Sequence, residues 1–477
     1  MNIVRHFMQA ANSYPNNVAI VQNGKSIHYS ELKTRILQTT NSLSEKGYKK
    51  GDNIMVMIPF SVELYVHILA IFSLGANVVL IDQLKPKSRV YYAFKKSECK
   101  AIITTKTIAL LKFFLFSKKL WNTIITIPIS TKTNDGYIDR KDTDSALITF
   151  TSGTTGNPKA ADRTHGFLNT QLQTLIDEMR ISPRDIHITS LPVVLMCNLA
   201  VGATSIIPPK YKNTNAWKLL ANQFPPNILS ASPHHFSEIS RRIQNDKLDR
   251  VFVGGATILP SFVKQVAKNI SHNKVTFVYG STEAEPMTTL SLETYSKLIS
   301  TNSVGLPVGR NHPNIQLKIN TKDSTTLKEQ PEGQIGEIIV AGPHVLHTYF
   351  KDEEAFARNK IIANDIIWHR TGDAGYIKDE QLYYFSRMRY AWILHDEWLA
   401  PLTLEKYLSI NGYLEEGTWL NVKGKNILFI QKTKNLKKVI ESFPYTIDET
   451  VFIKQLPRDK RHLSRVDYEQ LLCKYES

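Results

Sequence analysis

Between Ile148 and His165 the chain reads ITFTSGTTGNPKAADRTH. A short apolar run enters Thr151, Ser152, Gly153, Thr154, Thr155 and Gly156, and Pro158-Lys159 follows. Glycines let a backbone bend tightly and present its N–H groups, while the hydroxyls and Lys159 add further donors. Such a loop can grip the oxygens of a polyphosphate. A plain Ser/Thr/Gly turn would account for any four of these residues. The whole run, with the strand before it and Pro-Lys after it, points to phosphate. The GxxxxGK[ST] spacing of a Walker A loop is missing, which argues against a P-loop kinase or GTPase.

Three other segments carry usable chemistry. Gly254-Gly255-Ala256 follows the apolar run RVFV, and Tyr279-Gly280-Ser281-Thr282-Glu283 follows VTFV. The second of these puts an aromatic plane, a hydroxyl and a carboxylate at a strand end, where α/β sheets bind ligands. Thr371-Gly372-Asp373 is weak alone, since Asp is routine in turns. It gains weight from its order and spacing relative to the others.

The elements that must position these residues alternate between short apolar strands and amphipathic helices. NIMVMI, VVLI, AIITT, ITFTS, HITSLP, SIIPP, DRVFVGG and KVTFVYG read as strands of parallel α/β layers. From Ile315 to Tyr384 short strands separated by turns replace that pattern, as in a small antiparallel sheet or barrel. A basic, mixed segment with the strand NILFIQK and a closing helix VDYEQLLCKY follows. The expected fold is therefore α/β. A large N-terminal domain of layered subdomains plus a small β-barrel spans residues 1–386. A small α+β domain is expected over 387–477.

The 477 residues correspond to about three core-bearing units. At 42% apolar and 10% aromatic, the chain has ample core and is not a disordered composition. The charge of +16 favours acidic partners such as nucleotides, coenzymes, acidic carriers or anionic membranes. That excess reads as thinly spread, with no basic tail or zinc spacing, so no nucleic-acid partner is expected. Cys99, Cys197 and Cys473 build no disulfide framework or zinc knuckle, which fits a reducing, cytoplasmic compartment. The start MNIVRHFMQAANSYP lacks the apolar core of a signal peptide. Ser61 to Ile81 has the length of a membrane span but carries Glu63 and His67 and is broken at Gly75, so a helix and a buried strand are expected. Ile108 to Trp121 is strongly apolar with interleaved Lys112, Lys118 and Lys119. It reads either as a core helix with snorkelling lysines or as an interfacial helix that makes peripheral membrane contact.

On these motifs the chain resembles the adenylate-forming superfamily of acyl-CoA synthetases, luciferases and peptide-synthetase adenylation domains. TSGTTGNPK with Thr164-His165 matches the family's phosphate loop, with Ala160 in place of Gly, and the later motifs occur in the family's order. The resemblance implies ATP and Mg²⁺ as cofactors, with CoA or an acyl carrier as acceptor. It implies a catalytic set of Lys159, Thr282, Glu283 and Arg465. In it Gly254-Gly255-Ala256 lies beneath the adenine, Tyr279 stacks on it next to Gly280, and Thr282 bonds the α-phosphate. Glu283 holds the metal, and Asp373 and Arg387 hold the ribose. A carboxylic acid attacks the α-phosphate of ATP, pyrophosphate leaves, and a thioester forms next.

Ser190 to Pro209 has no ionised side chain, so Val193, Val194, Leu195, Met196 and Leu199 are expected to line a pocket for a fatty or 3-hydroxy fatty acid. YGSTEAEPM and the run Leu456 to Arg465 are similar to the olefin β-lactone synthetase branch, which implies ring closure by the substrate's own hydroxyl as an alternative second step. Two departures stand out. Arg465 occupies the family's lysine position, where a planar fork replaces a compact ammonium, with Lys460 five residues earlier. Ser386-Arg387-Met388-Arg389 replaces the usual glycine-containing hinge. Both leave room for a nucleotide-binding relative without turnover. Asp459, Arg461 and His462 read as a solvated loop or an acid/base cluster.

Overall fold

The computed structural model describes all residues except 82–85, 129, 134–135, 152–157, 300–303, 414–416, 432–439, 459–465 and 477. Asn53–Met57, Asn77–Ile81, Ala101–Thr104 and Ser145–Thr151 are parallel neighbours in one sheet. Covered by helices, such strands read as continuous Val/Ile runs rather than alternating ones. The segment that imitates a membrane span is the helix Val62–Ser73 followed by the strand Asn77–Ile81. Ser61 caps the helix by accepting from Leu64 N at 3.4 Å, and ten of its twelve residues are buried. No described helix is long and apolar enough to cross a membrane.

A second sheet runs from parallel strands, among them Ile186–Thr189, Ile228–Ala231, Arg250–Gly254 and Val275–Ser281, into antiparallel ones. Ala284–Ser291 turns back on Val275–Ser281, and the antiparallel half continues to Ile366–Lys378 and Gln381–Arg387. Gln381–Arg387 is the last strand of this sheet in chain order. Beyond it come a two-stranded sheet, the helix Pro401–Ile410 and a three-stranded sheet. In that last sheet Lys425–Gln431, the expected NILFIQK strand, pairs with Gly417–Val422 and Glu449–Ile453, and the closing helix is Tyr468–Glu476.

The C-terminal elements dock on the rest through polar contacts and through an apolar cluster that joins Phe385 and Ala374 to Ala391, Ala400 and Trp398. Ser409 Oγ accepts from Ser261 N at 2.7 Å and donates to Ser261 Oγ at 2.8 Å. Lys406 Nζ donates to Gly305 O at 2.9 Å, and burial brings that ammonium down to about 8. Cys99 and Cys197 are buried, Cys473 is exposed, and all three are free thiols.

His187 braces the parallel region. It is fully buried, with Nδ1 2.9 Å from Asn198 Oδ1 and Nε2 2.7 Å from Ser230 Oγ. Burial holds its pKa down to about 4, so it folds as the neutral ring. Between pH 6.5 and pH 4 the unfolded chain binds a proton that the folded chain refuses, so stability present above pH 6.5 is lost on acidification. We expect a loss from this group on the order of 3 kcal/mol by pH 4. Urea-unfolding midpoints measured from pH 7 to pH 4 should fall less steeply for His187→Gln; an identical slope would remove His187 as the cause.

Candidate active site

The phosphate-loop segment is a hairpin. Ser145–Thr151 pairs with Lys159–Thr164, and Thr151 and Lys159 are register partners. Ser152, Gly153, Thr154, Thr155 and Gly156 lie outside the described residues, as does Arg465 with Asp459, Lys460, Arg461 and His462. Ala160 is fully buried in the apolar core, so its methyl is accommodated there. His165 starts the next helix. Its Nδ1 accepts from Ile3 N at 3.2 Å, and burial lowers its pKa to about 4, so it is a neutral strut between the N-terminus and the hairpin.

A cavity of about 2420 Å³ is lined by Lys159, Gly255, Ala256, Tyr279, Gly280, Thr282, Glu283, Asp373 and Arg387. The structure thus brings together the described sequence-selected residues, with two qualifications. Gly254 sits behind the wall, where a Cβ would lie 2.7 Å from Val278 O, so its role is close approach of two strands. Thr151 is placed only by its strand register.

At one corner Asp373 joins three elements. Tyr279 OH donates to its Oδ2 at 2.7 Å, and Arg387 stands 3.2 Å from its Oδ1. Arg387 also donates to Thr371 O at 3.0 Å, and Asp373 N donates to Thr371 Oγ1 at 3.0 Å. Gly372 between them has φ +70°, a conformation that disfavours side chains. Burial and the adjacent Asp373 hold the Tyr279 phenol well above its usual value, so it stays a donor. Asp373 Oδ1 is buried, with the Arg387 guanidinium beside it but no aligned hydrogen bond.

At the other end, Lys159 Nζ donates to Asn359 Oδ1 at 2.5 Å and lies 6.0 Å from the Tyr349 ring centre. Burial lowers the Lys159 pKa, with Glu283 opposing the shift. A second ammonium was missed in the sequence. Lys360 lies 5.7 Å from the same ring, donates to Leu346 O, and is 5% exposed. Leu346 N in turn donates to Glu283 O at 2.7 Å. Lys360 heads the strand Lys360–Ala363, so the only sequence signal was one charged residue opening an apolar run. No group of three His, Cys, Asp or Glu able to hold a metal exists among the described residues. Glu283 is thus suited to share a magnesium ion with phosphate oxygens rather than cage it.

The acid pocket differs from expectation. Of the five proposed lining residues, Val193 and Met196 face the cavity, while Val194, Leu195 and Leu199 are buried in the core. The segment is the helix Pro192–Val201, and at 100° per residue positions 193 and 196 share a face that 194, 195 and 199 do not. Charged residues from other segments line the same cavity, among them Arg163, which donates to Thr282 O at 2.9 Å, and Glu285. Arg163 was visible as a charge in the strand after Lys159, and Glu285 as the residue before Pro286. The expected hinge segment contacts the last helix. Arg389 pairs with Glu469 of the last helix and stacks on Tyr390, whose ring meets Tyr468 edge-on at 4.8 Å.

Residues 7–350 match the model of the AMP-binding enzyme family. The chain belongs to this family. Its relatives include gramicidin S synthase 1 of Brevibacillus brevis, 26% identical over 80% of this chain. The chain spans only 35% of that protein's length. The putative acyl–CoA ligase YdaB of Bacillus subtilis is 25% identical over 78% of this chain and 76% of its own. 4-Coumarate–CoA ligase CCL1 of Humulus lupulus is 24% identical over 91% and 85%. ATP-bound MatB from Rhodopseudomonas palustris has the same fold, with a TM-score of 0.83, 21% identity and coverage of 100% and 99%. MenE from Bacillus subtilis, in complex with ATP and magnesium, superposes at TM-score 0.81 with 20% identity over 98% and 99%. The large α/β domain and small α+β domain are therefore those of this family.

In this AMP-binding protein, burial brings Lys360 down to about 7. The unfolded chain then binds the additional proton between about pH 7 and pH 10, so the energetic cost of the buried lysine fades as pH rises through that window. Wild-type stability should gain on Lys360→Met by on the order of a few kcal/mol from pH 7 to pH 10. Thermal unfolding of both proteins across that range checks it, and parallel curves would show that Lys360 is charged in the folded state.

Proposed function

We propose that the protein activates a carboxylic acid of mainly apolar body with ATP, releasing pyrophosphate, and passes the acyl group to the thiol of CoA or an acyl carrier. The observation that carries this reading is convergence in one cavity. The Tyr279–Asp373–Arg387 corner, the Lys159–Glu283 end and a wall that includes Val193, Met196 and Leu172 share it.

In this reading one carboxylate oxygen bonds the α-phosphorus as the bond to the bridging oxygen breaks. The obstacle is the approach of two anions, and fixed charge in a dry site offsets it. Lys159 and the loop amides supply that charge, Thr282 a donor at the α-phosphate, and Asp373 and Arg387 the ribose contacts. Tyr279 gives the adenine a plane while its hydroxyl anchors Asp373. Magnesium held by Glu283 would neutralise charge developing on the phosphates. Arg163, bonded to the Thr282 peptide, would face the carboxylate end of the acid. Glu285 suits a polar substituent such as a 3-hydroxyl. Arg465 takes the place of the family lysine. We also infer a division at residue 386, with 387–477 as the moving part.

Lys159→Ala should lower acid-dependent pyrophosphate release by about 100-fold or more while leaving nucleotide binding within about ten-fold. An unchanged rate would remove Lys159 from the mechanism. Release measured across fatty and 3-hydroxy fatty acids also separates the second steps. Release that stays stoichiometric until a thiol is added marks thioester formation. Turnover confined to hydroxy acids without a thiol marks β-lactone closure. ATP binding with no release from any acid marks a relative without turnover.

A further inference from the structure

Four large apolar side chains crowd one exposed ridge. Leu110 is 80% exposed, Leu111 46%, Phe113 54% and Phe114 75%. They occupy the short helices Lys106–Leu110 and Lys112–Leu115 and the junction Leu111 between them, followed by buried Phe116 and Leu120. Thr105 fixes the first of them by accepting from Ile108 N at 3.3 Å. A soluble surface rarely leaves such a cluster uncovered without a partner.

The charge around the ridge says which partner. Residues 86–125 contain nine Lys and Arg against one acid, Glu98, so half of the chain's excess of +16 sits in these 40 residues. It is therefore concentrated, not thinly spread. Glu98 is itself paired with Lys351 at 2.7 Å. Lys87 Nζ donates to Phe113 O at 3.3 Å, Lys112 stands 5.5 Å from the Phe113 ring centre, and Lys119 5.2 Å from that of Tyr91. Lys106, Lys118 and Lys119 are exposed. An apolar ridge ringed by cations complements acyl chains beneath anionic headgroups.

The ridge also adjoins the cavity. Ile108, two residues before Leu110, and Arg89 line it together with Phe60, Ile81 and Met57. We propose that Leu110–Phe114 and the surrounding lysines form a docking surface for an anionic lipid bilayer, which sets the apolar mouth of the cavity against the source of an apolar acid. Docking itself is independent of which acid is activated.

Co-sedimentation with phosphatidylcholine vesicles, with and without about one-third phosphatidylserine, tests it. The wild-type chain should sediment with the anionic vesicles, and rising salt should release it. Leu110→Ser with Phe114→Ser, and separately Lys118→Glu with Lys119→Glu, should each lower the partition coefficient by about ten-fold or more. Near-UV circular dichroism and ATP binding should stay unchanged, since these side chains are exposed and outside the nucleotide site. No sedimentation of the wild type with anionic vesicles overturns the proposal, as do variants that partition equally well. A wild-type dimer in light scattering that the serine variant splits would assign the ridge to a second copy of the chain and overturn it too.

Discussion

One buried carboxylate holds the candidate site together. Asp373 takes a phenol from the end of a parallel strand, a guanidinium from the last strand of the large sheet, and its own turn through Thr371. A buried carboxylate is costly unless paired and hydrogen-bonded, so each partner is held in place by the penalty for losing it. The rest of the cavity is built outward from that corner. Arg387 is the register partner of Asp373, so the junction with the C-terminal elements is tied to the same contact that shapes this corner of the cavity.

The cavity combines two environments that ordinarily exclude each other. Its cationic end has Lys159 and Arg358 near Glu283, with Lys360 buried beside them on the Tyr349 ring, while its other wall includes Val, Leu, Met and Phe. Low dielectric strengthens charge–charge interaction and raises the cost of each unpaired ion. The lowered pKa values of Lys159 and Lys360 are the visible result, and a polyanion is the natural counterpart that would reverse them.

Much of this was legible in the sequence because motif residues and strand periodicity depend on local chemistry. Val275–Ser281 and Arg250–Gly254 were readable as apolar runs ending in functional residues, and the false membrane span resolved at Gly75 as expected. Helix orientation was not readable. Pro192–Val201 is apolar nearly all round, so nothing in its composition said that Val193 and Met196 face the cavity while Leu195 faces the core. Arg163, Glu285 and Lys360 escaped for a different reason. Each lies on a strand paired with its neighbour in sequence, yet what it faces is set by elements far along the chain, and a single charge in an apolar run does not announce those neighbours.

The docking of the C-terminal elements has a consequence for timing. Ser261 with Ser409 and Lys406 with Gly305 are hydrogen bonds that water can replace one for one. The same junction also buries Phe385 and Ala374 against Ala391, Ala400 and Trp398, so parting it exposes apolar surface as well. Any cycle that needs the small domain in two places would then be paced by the combined cost of that apolar patch and those hydrogen bonds, rather than by core stability.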